Sequence, residues 1–353
     1  MPQSVLFVGW AGGGNVNPMV CLAEEMAAQG ARVAILAGRG LGARLETAPV
    51  TILSETASWL PGAEDVVRAV DEYGPDGLVV DYMLTEALSG VEASGKPAVA
   101  LVHTLYQALL LEGAPHPMGM AGPVDAVNQT RTRIGLGPIQ GFGDLLATCA
   151  LVAVTAPREL DAPGRVPANV SYLGPLIPRT RPDTDWRVPE GSDPLVAVSL
   201  GTGATVENEA EIIQRILLGL GGMPVRGLVN LPGYVRPEVL SAPANVVLTG
   251  YVPHQAVLPQ ASVLVTHAGL GSVMVALANG VPMVCMPLGR EQPENAAAIS
   301  RIGRGFVISP DAEPDAIARA ITQALALGHG KPIRPDPASG AKAVITALSG
   351  ADL

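Results

Sequence analysis

Two doubly wound α/β domains, each built on a parallel sheet, are what this sequence predicts, and three observations carry the prediction. Short apolar runs alternate with helical patterns from Ser4 to Thr155. From Gly174 to Pro194 the chain turns rich in Pro, Asp and Arg, the composition of a linker. At Leu195 the same alternation begins again. A length of 353 residues suits about two domains. The expected division is 1–178, a linker at 179–194, 195–330, and a tail at 331–353 that packs back on the first domain. Two such Rossmann-like units should face each other across a cleft.

Ser4 to Gly9 reads as a buried strand, Trp10 to Asn17 as a glycine-rich loop, and Pro18 to Gln29 as a helix stopped by Gly30. Arg32–Leu36, Gly77–Val80 and Ala98–Val102 are further strands, with helical patterns at about Glu64–Glu72 and Leu84–Ala93. Functional residues of a doubly wound sheet gather at the carboxyl ends of its strands. Here those are the 10–17 loop, Asp81 and His103. Tyr106–Met120 reads as an apolar loop, Pro123–Ile134 and Gly141–Thr148 as helices, and Leu151–Thr155 as the last strand of this half. In the second half, Leu195–Leu200, Arg226–Val229, Val246–Thr249, Ser262–Val265 and Met283–Met286 are strands. Glu207–Leu220, Val273–Ala278 and Glu313–Ala326 are helices, and Ala341–Leu348 is a short amphipathic segment.

Composition excludes several function classes. Hydrophobic residues make up 48% of the chain, enough to bury a core and to exclude disorder. A net charge of −10 argues against nucleic acid and anionic membrane surfaces as partners. Cys21, Cys149 and Cys285 are few and lie in apolar contexts, which suits buried thiols in a reducing compartment. There is no basic leader at the first residues and no apolar run long enough to span a bilayer, so a cytoplasmic location is expected. Asp183-Thr-Asp185 has a metal-like spacing, but short matches in linkers arise easily, and no metal or other cofactor is expected.

The most informative stretch runs from Thr266 to Asn295. A strand leads into His267-Ala-Gly-Leu-Gly-Ser272, a small-residue turn that opens a helix. The first backbone N–H groups of a helix lack partners and carry partial positive charge, so this turn is an anion site. Gly269 and Gly271 remove Cβ atoms that would hold a phosphate away, while Ser272 and His267 add donors. After Gly280, Pro282 and the next strand comes a loop with Arg290, Glu291, Gln292 and Asn295.

This segment, with its HxGxxS turn, GVP strand entry and EQ-x-x-N loop, resembles the donor-sugar signature of family-1 nucleotide-sugar glycosyltransferases of the bacterial natural-product type. The resemblance covers nearly the whole chain and implies a GT-B fold, although the family is usually somewhat longer, so the acceptor-side loops are expected to be trimmed. It implies that His267, Gly269, Gly271 and Ser272 bind the diphosphate, Glu291 and Gln292 the sugar hydroxyls, and Asn295 a further polar group. Thr202, after Gly201 at a strand end, is expected to touch phosphate or sugar. Tyr251 falls where the family stacks an aromatic on the base, and Val252 where backbone atoms read its edge.

Two positions depart from the family pattern. Many uridine-diphosphate enzymes carry a ribose-binding glutamate where this chain has Val275, which suits a deoxyribose donor such as a thymidine-diphosphate sugar. Members also typically read GHVNP after the first strand, the histidine being the base. This chain reads Gly14-Asn-Val-Asn-Pro18, and the amide of Asn15 cannot take a proton. Asp81 and His103 are the other candidates, so the catalytic assignment is Asp81, Asn15 and His103. Gly13, Gly14, Tyr106, Leu110 and Met118 are assigned to the acceptor, Leu109, Leu111 and Met120 extending the same apolar wall.

The expected function is inverting transfer of a sugar from a nucleoside-diphosphate donor, thymidine preferred over uridine, to a small lipophilic acceptor. Its partners are that donor and acceptor, with a homodimer as the candidate assembly. One alternative is a catalytically silent relative that binds nucleotide or aglycone, for which Asn15 is the only support. A Rossmann oxidoreductase is the other; it fails because the 9–14 loop lacks a clean GxGxxG and Ile35-Leu-Ala37 ends without an acidic ribose partner.

Overall fold

The computed structural model describes residues 4–45, 50–109, 124–178, 188–201 and 208–350. These fall into two compact units, 1–178 with 335–353, and 179–334.

The first unit contains β1 (Ser4–Gly9), α1 (Val16–Ala28), β2 (Arg32–Ala37), α2 (Gly42–Leu45), β3 (Thr51–Glu55), α3 (Ala63–Tyr73) and β4 (Gly77–Asp81). It continues through α4 (Thr85–Ser94), β5 (Ala98–Val102), α5 (Tyr106–Leu109), α6 (Val124–Arg133), α7 (Phe142–Ala147), β6 (Leu151–Val154) and β7 (Val170–Tyr172). The strands form one sheet in the order β3-β2-β1-β4-β5-β6-β7, and every pairing is parallel. Helices cover both faces of such a sheet, so β1, β4, β5 and β6 are apolar at nearly every position and buried throughout. The direction of strand addition reverses between β1 and β4, which makes their carboxyl ends the place for a site.

The second unit runs β8 (Leu195–Ser199), α8 (Glu209–Leu220), β9 (Arg226–Asn230), β10 (Val246–Thr249), α9 (His254–Val257), β11 (Val263–Thr266), α10 (Leu270–Asn279), β12 (Met283–Cys285), α11 (Gln292–Arg301), β13 (Gly305–Val307) and α12 (Pro314–Leu327). Its sheet order is β10-β9-β8-β11-β12-β13, again all parallel, with the reversal between β8 and β11. The chain then returns to the first unit as α13 (Pro337–Leu348), which packs on α1. Ala341, Val344 and Leu348 are buried in the first unit's core. Gly77 makes the close approach: a Cβ there would meet Leu348 Cδ2 at 2.8 Å.

Sequence patterning misses β3, β7 and β13. β3 is an edge strand with exposed residues and no apolar run, and the other two are three residues long. The expected loop around Gln292 and Asn295 is corrected: both lie on the first turn of α11, whose second position is Pro293, a residue tolerated where no N–H is needed. Tyr106–Leu109 is a helical turn rather than a loop. The Asp183–Asp185 segment lies outside the described residues. All three cysteines are buried and outside any disulfide, and burial pushes the Cys149 and Cys285 thiols up to about 11 and about 12. Among the described residues no helix is long and apolar enough to cross a membrane.

Candidate active site

In the first unit the reversal point is occupied by a buried polar cluster. Asp81 ends β4 and is 5% exposed. Asn15 precedes α1 on the loop leaving β1 and donates from Nδ2 to Asp81 Oδ2 at 2.7 Å and to the Trp10 carbonyl at 2.9 Å. The backbone N–H of Met83 donates to Asp81 Oδ1 at 3.0 Å. His103, one residue past β5, places Nε2 3.1 Å and 3.2 Å from the two carboxylate oxygens. A carboxylate only accepts, so the ring nitrogen facing it, Nε2, is the donor. Tyr82 packs its ring edge-on to the imidazole, centroids 4.7 Å apart, and fixes its plane.

Asn15 therefore does half of what an imidazole does there: it holds the aspartate but offers no basic nitrogen. Its Oδ1 is buried without a hydrogen-bond partner. Gly12 must lack a side chain, because a Cβ would sit 2.5 Å from the Trp10 ring and 2.9 Å from Asn15 Oδ1. Gly13 and Gly14 face open space, Gly13 at a φ of 108°. Of the remaining acceptor residues, Tyr106 is buried at 3% exposure, so it belongs to the core and not to an open wall. Leu110 and Met118, with Leu111 and Met120, lie outside the described residues.

In the second unit the reversal point between β8 and β11 carries the glycine turn. Thr266 ends β11, Ala268 adopts a φ of 68°, and Gly269 caps α10. Leu270, Gly271 and Ser272 begin the helix, so their N–H groups point out of its first turn without intrahelical partners. Gly271 opens onto space, as an anion site requires. Gly269 has a different task from the expected one. A Cβ there would meet His267 Nε2 at 2.6 Å, and one on Gly201 would meet it at 3.0 Å, so both glycines make room for the imidazole. Enclosed in this way, and facing His254, His267 is driven down to about 4 by desolvation first and then by the His254 and Arg290 charges. It is neutral at pH 7 and can donate a single hydrogen bond. The Ser272 side chain, 7% exposed, takes no partner among the described residues.

Two further residues act differently from the expectation. Asn295, 2% exposed, donates to the Ala268 carbonyl at 3.0 Å and so clamps the left-handed turn. Val252 has its N–H and its carbonyl both tied to the Asn230 side chain, at 2.9 Å and 3.0 Å, so its N–H is not available to a base edge. Gln292 is buried and accepts from the Leu288 N–H at 2.7 Å, while Glu291 is partly exposed just before α11. Tyr251, just past the edge strand β10, is 68% exposed, a ring left in water. Thr202 lies outside the described residues.

Residues 148–312 match the model of the UDP-glucoronosyl and UDP-glucosyl transferase family. The demethyllactenocin mycarosyltransferase of Streptomyces fradiae is 30% identical over 349 residues, covering 82% of this chain and 71% of the relative. The chain belongs to this family. Its fold matches solved glycosyltransferases at lower identity. The kitacinnamycin glycotransferase superposes with a TM-score of 0.77 at 23% identity, covering 99% of this chain and 96% of the other. VinC, solved in complex with dTDP, gives 0.72 at 17% identity, covering 98% and 95%. Both are GT-B proteins, and the parallel-sheet units described above are the two halves of that fold.

As a family member the protein is a glycosyltransferase that takes its sugar from a nucleoside-diphosphate donor. Sequence reasoning missed two residues near the carboxyl ends of the strands. Asn230, at the end of β9, holds the Tyr251–Val252 segment, and only its place at a strand end hints at this. Trp59, on the loop after β3, is 55% exposed with the Arg39 guanidinium 5.1 Å from its ring centre. An aromatic in a chain with only 3% of them was the available signal.

Proposed function

We propose that this glycosyltransferase moves a deoxysugar from a thymidine-diphosphate donor, with inversion, onto a small lipophilic natural-product acceptor. The observation that carries the mechanism is the convergence of Asn15 and His103 on Asp81. His103 is the base: its Nδ1 takes the acceptor's hydroxyl proton as the oxygen attacks the anomeric carbon. The bond from that carbon to the diphosphate oxygen breaks, and the electron pair leaves with the nucleoside diphosphate. Asp81 holds the tautomer and balances the imidazolium that forms, while Asn15 and the Met83 N–H hold Asp81 in turn. In the second unit the N-terminus of α10 and Ser272 receive the negative charge of the leaving group. Fixed dipoles in that turn favour a metal-independent reaction.

The donor preference is supported by Val275, an aliphatic side chain that cannot accept from a ribose 2′-hydroxyl, and by the dTDP bound in VinC. Exposed Tyr251 suits stacking on the base. A lipophilic acceptor is supported by exposed Trp59 at the carboxyl edge of the sheet that carries Asp81, and by the natural-product names of the relatives.

The test is calorimetric titration with thymidine diphosphate and uridine diphosphate, followed by mass detection of product from thymidine-diphosphate deoxysugars and apolar acceptors. Binding with thymidine preferred, and a product whose anomeric configuration is opposite to the donor's, are expected. Preference for the ribose nucleotide removes the donor assignment, and a retained configuration removes the mechanism.

A further inference from the structure

Among the described residues, two non-glycine positions have positive φ, Ala268 at 68° and Arg290 at 56°. Such conformations are costly for side-chain-bearing residues and persist where the surroundings impose them, commonly at functional sites. The first shapes the diphosphate turn. The second lies on the loop from β12 to α11, directly after Gly289 with its φ of 143°. α11 holds both: Asn295 clamps the Ala268 carbonyl, Gln292 accepts from the Leu288 N–H, and the Gln292 N–H returns to the Gly289 carbonyl at 3.2 Å. One helix therefore fixes both positive-φ segments.

Arg290 is exposed and makes no ion pair or hydrogen bond among the described residues. β12 pairs with β11, Thr266 opposite Cys285, so the loop that carries Arg290 leaves the sheet beside the turn, and the Arg290 charge acts on His267. The turn itself has dipoles and a neutral imidazole but no formal charge. A nucleoside diphosphate carries at least two negative charges and gains another share as the sugar departs. An unpaired guanidinium held on a fixed loop, in a protein of net charge −10, matches that need.

We propose that Arg290 is the cation that binds the donor's diphosphate and neutralises the leaving group. This rests on the reading of the 267–272 turn as the diphosphate site. A planar guanidinium can take two phosphate oxygens at once, adding a formal charge to the dipoles of the helix N-terminus. The backbone strain at 290 is retained because relaxing it would move the charge.

Titration of the full-length protein with thymidine diphosphate, thymidine monophosphate and thymidine tests this, comparing Arg290→Gln, Arg290→Lys and Arg290→Gly with the parent. Arg290→Gln should weaken thymidine diphosphate about tenfold and leave thymidine unchanged, and Arg290→Lys should recover part of the loss. Arg290→Gly should lose the same affinity while raising Tm, because glycine adopts this φ freely. A parent that binds no nucleoside diphosphate overturns the turn's assignment together with this one. A parent that binds while Arg290→Gln binds within twofold of it overturns only the role of Arg290. So does an equal loss for thymidine, which would make Arg290 a nucleoside contact.

Discussion

The two reversal points of this glycosyltransferase handle charge in opposite ways. In the first unit, three side chains from the ends of β1, β4 and β5 meet, and an aspartate is held by an amide, a backbone N–H and an imidazole. In the second unit, the turn between β11 and α10 relies on backbone dipoles, glycines and a histidine kept neutral. A site made of side chains can redistribute its roles, because Asp81 can be served from either neighbouring strand. A site made of backbone cannot, since the N–H groups exist only where the turn puts them. The turn His267–Ser272 keeps its small residues and its helix start, while at Asn15 an amide stands where the resemblance expects a histidine.

The largest test of that contrast is Asp81→Asn. It should lower kcat by about 10³-fold or more while thymidine diphosphate affinity stays within about twofold. A parallel loss of donor affinity in calorimetry would mean that the two units do not divide the work. His103→Gln should cost about 10²–10³-fold in kcat/KM. The parent's rate should fall on the acid side as the imidazole becomes protonated, and the variant should lose that limb; an unchanged pH profile would move the base elsewhere.

The second unit should reveal its neutral histidines through stability. Burial drives His254 and His267 from 6.5 to about 4. Between those values the unfolded chain binds protons that the folded one refuses, so stability falls as pH is lowered from 6.5 toward 4 and is flat from these groups above it. The slope is roughly 1.4 kcal/mol per pH unit for each imidazole at most. Urea unfolding at pH 7, 6 and 5 measures it, and His267→Asn should remove part of the slope. Asn295→Ala removes the clamp on Ala268 and should cost about 1 kcal/mol in the same assay, with weaker diphosphate binding. Smallest of all, a chelator should leave turnover unchanged; lost activity restored by a divalent cation would break the metal-independent reading of the leaving-group site.

Much of the fold was legible because parallel strands buried on both faces read as uninterrupted apolar runs. The edge strand β3 and the three-residue strands escaped, since pairing and not pattern makes them. At the site, Gly271 and Ser272 could be placed from local spacing, as their role depends only on being at a helix start. Asn295 and Val252 could not, because side-chain clamps from α11 and from Asn230 use groups that the motif alone leaves open.

By itself, then, the sequence determined the two alternating units, the strand ends and the glycine turn that opens α10, all properties of short windows of backbone. Only tertiary structure decided that His103 meets Asp81 from 22 residues away while Asn15 meets it from 66. It also decided that Gly201 and Gly269 enclose His267. Those contacts depend on strand order in the sheet, which brings β1, β4 and β5 side by side and lets distant residues share one carboxylate.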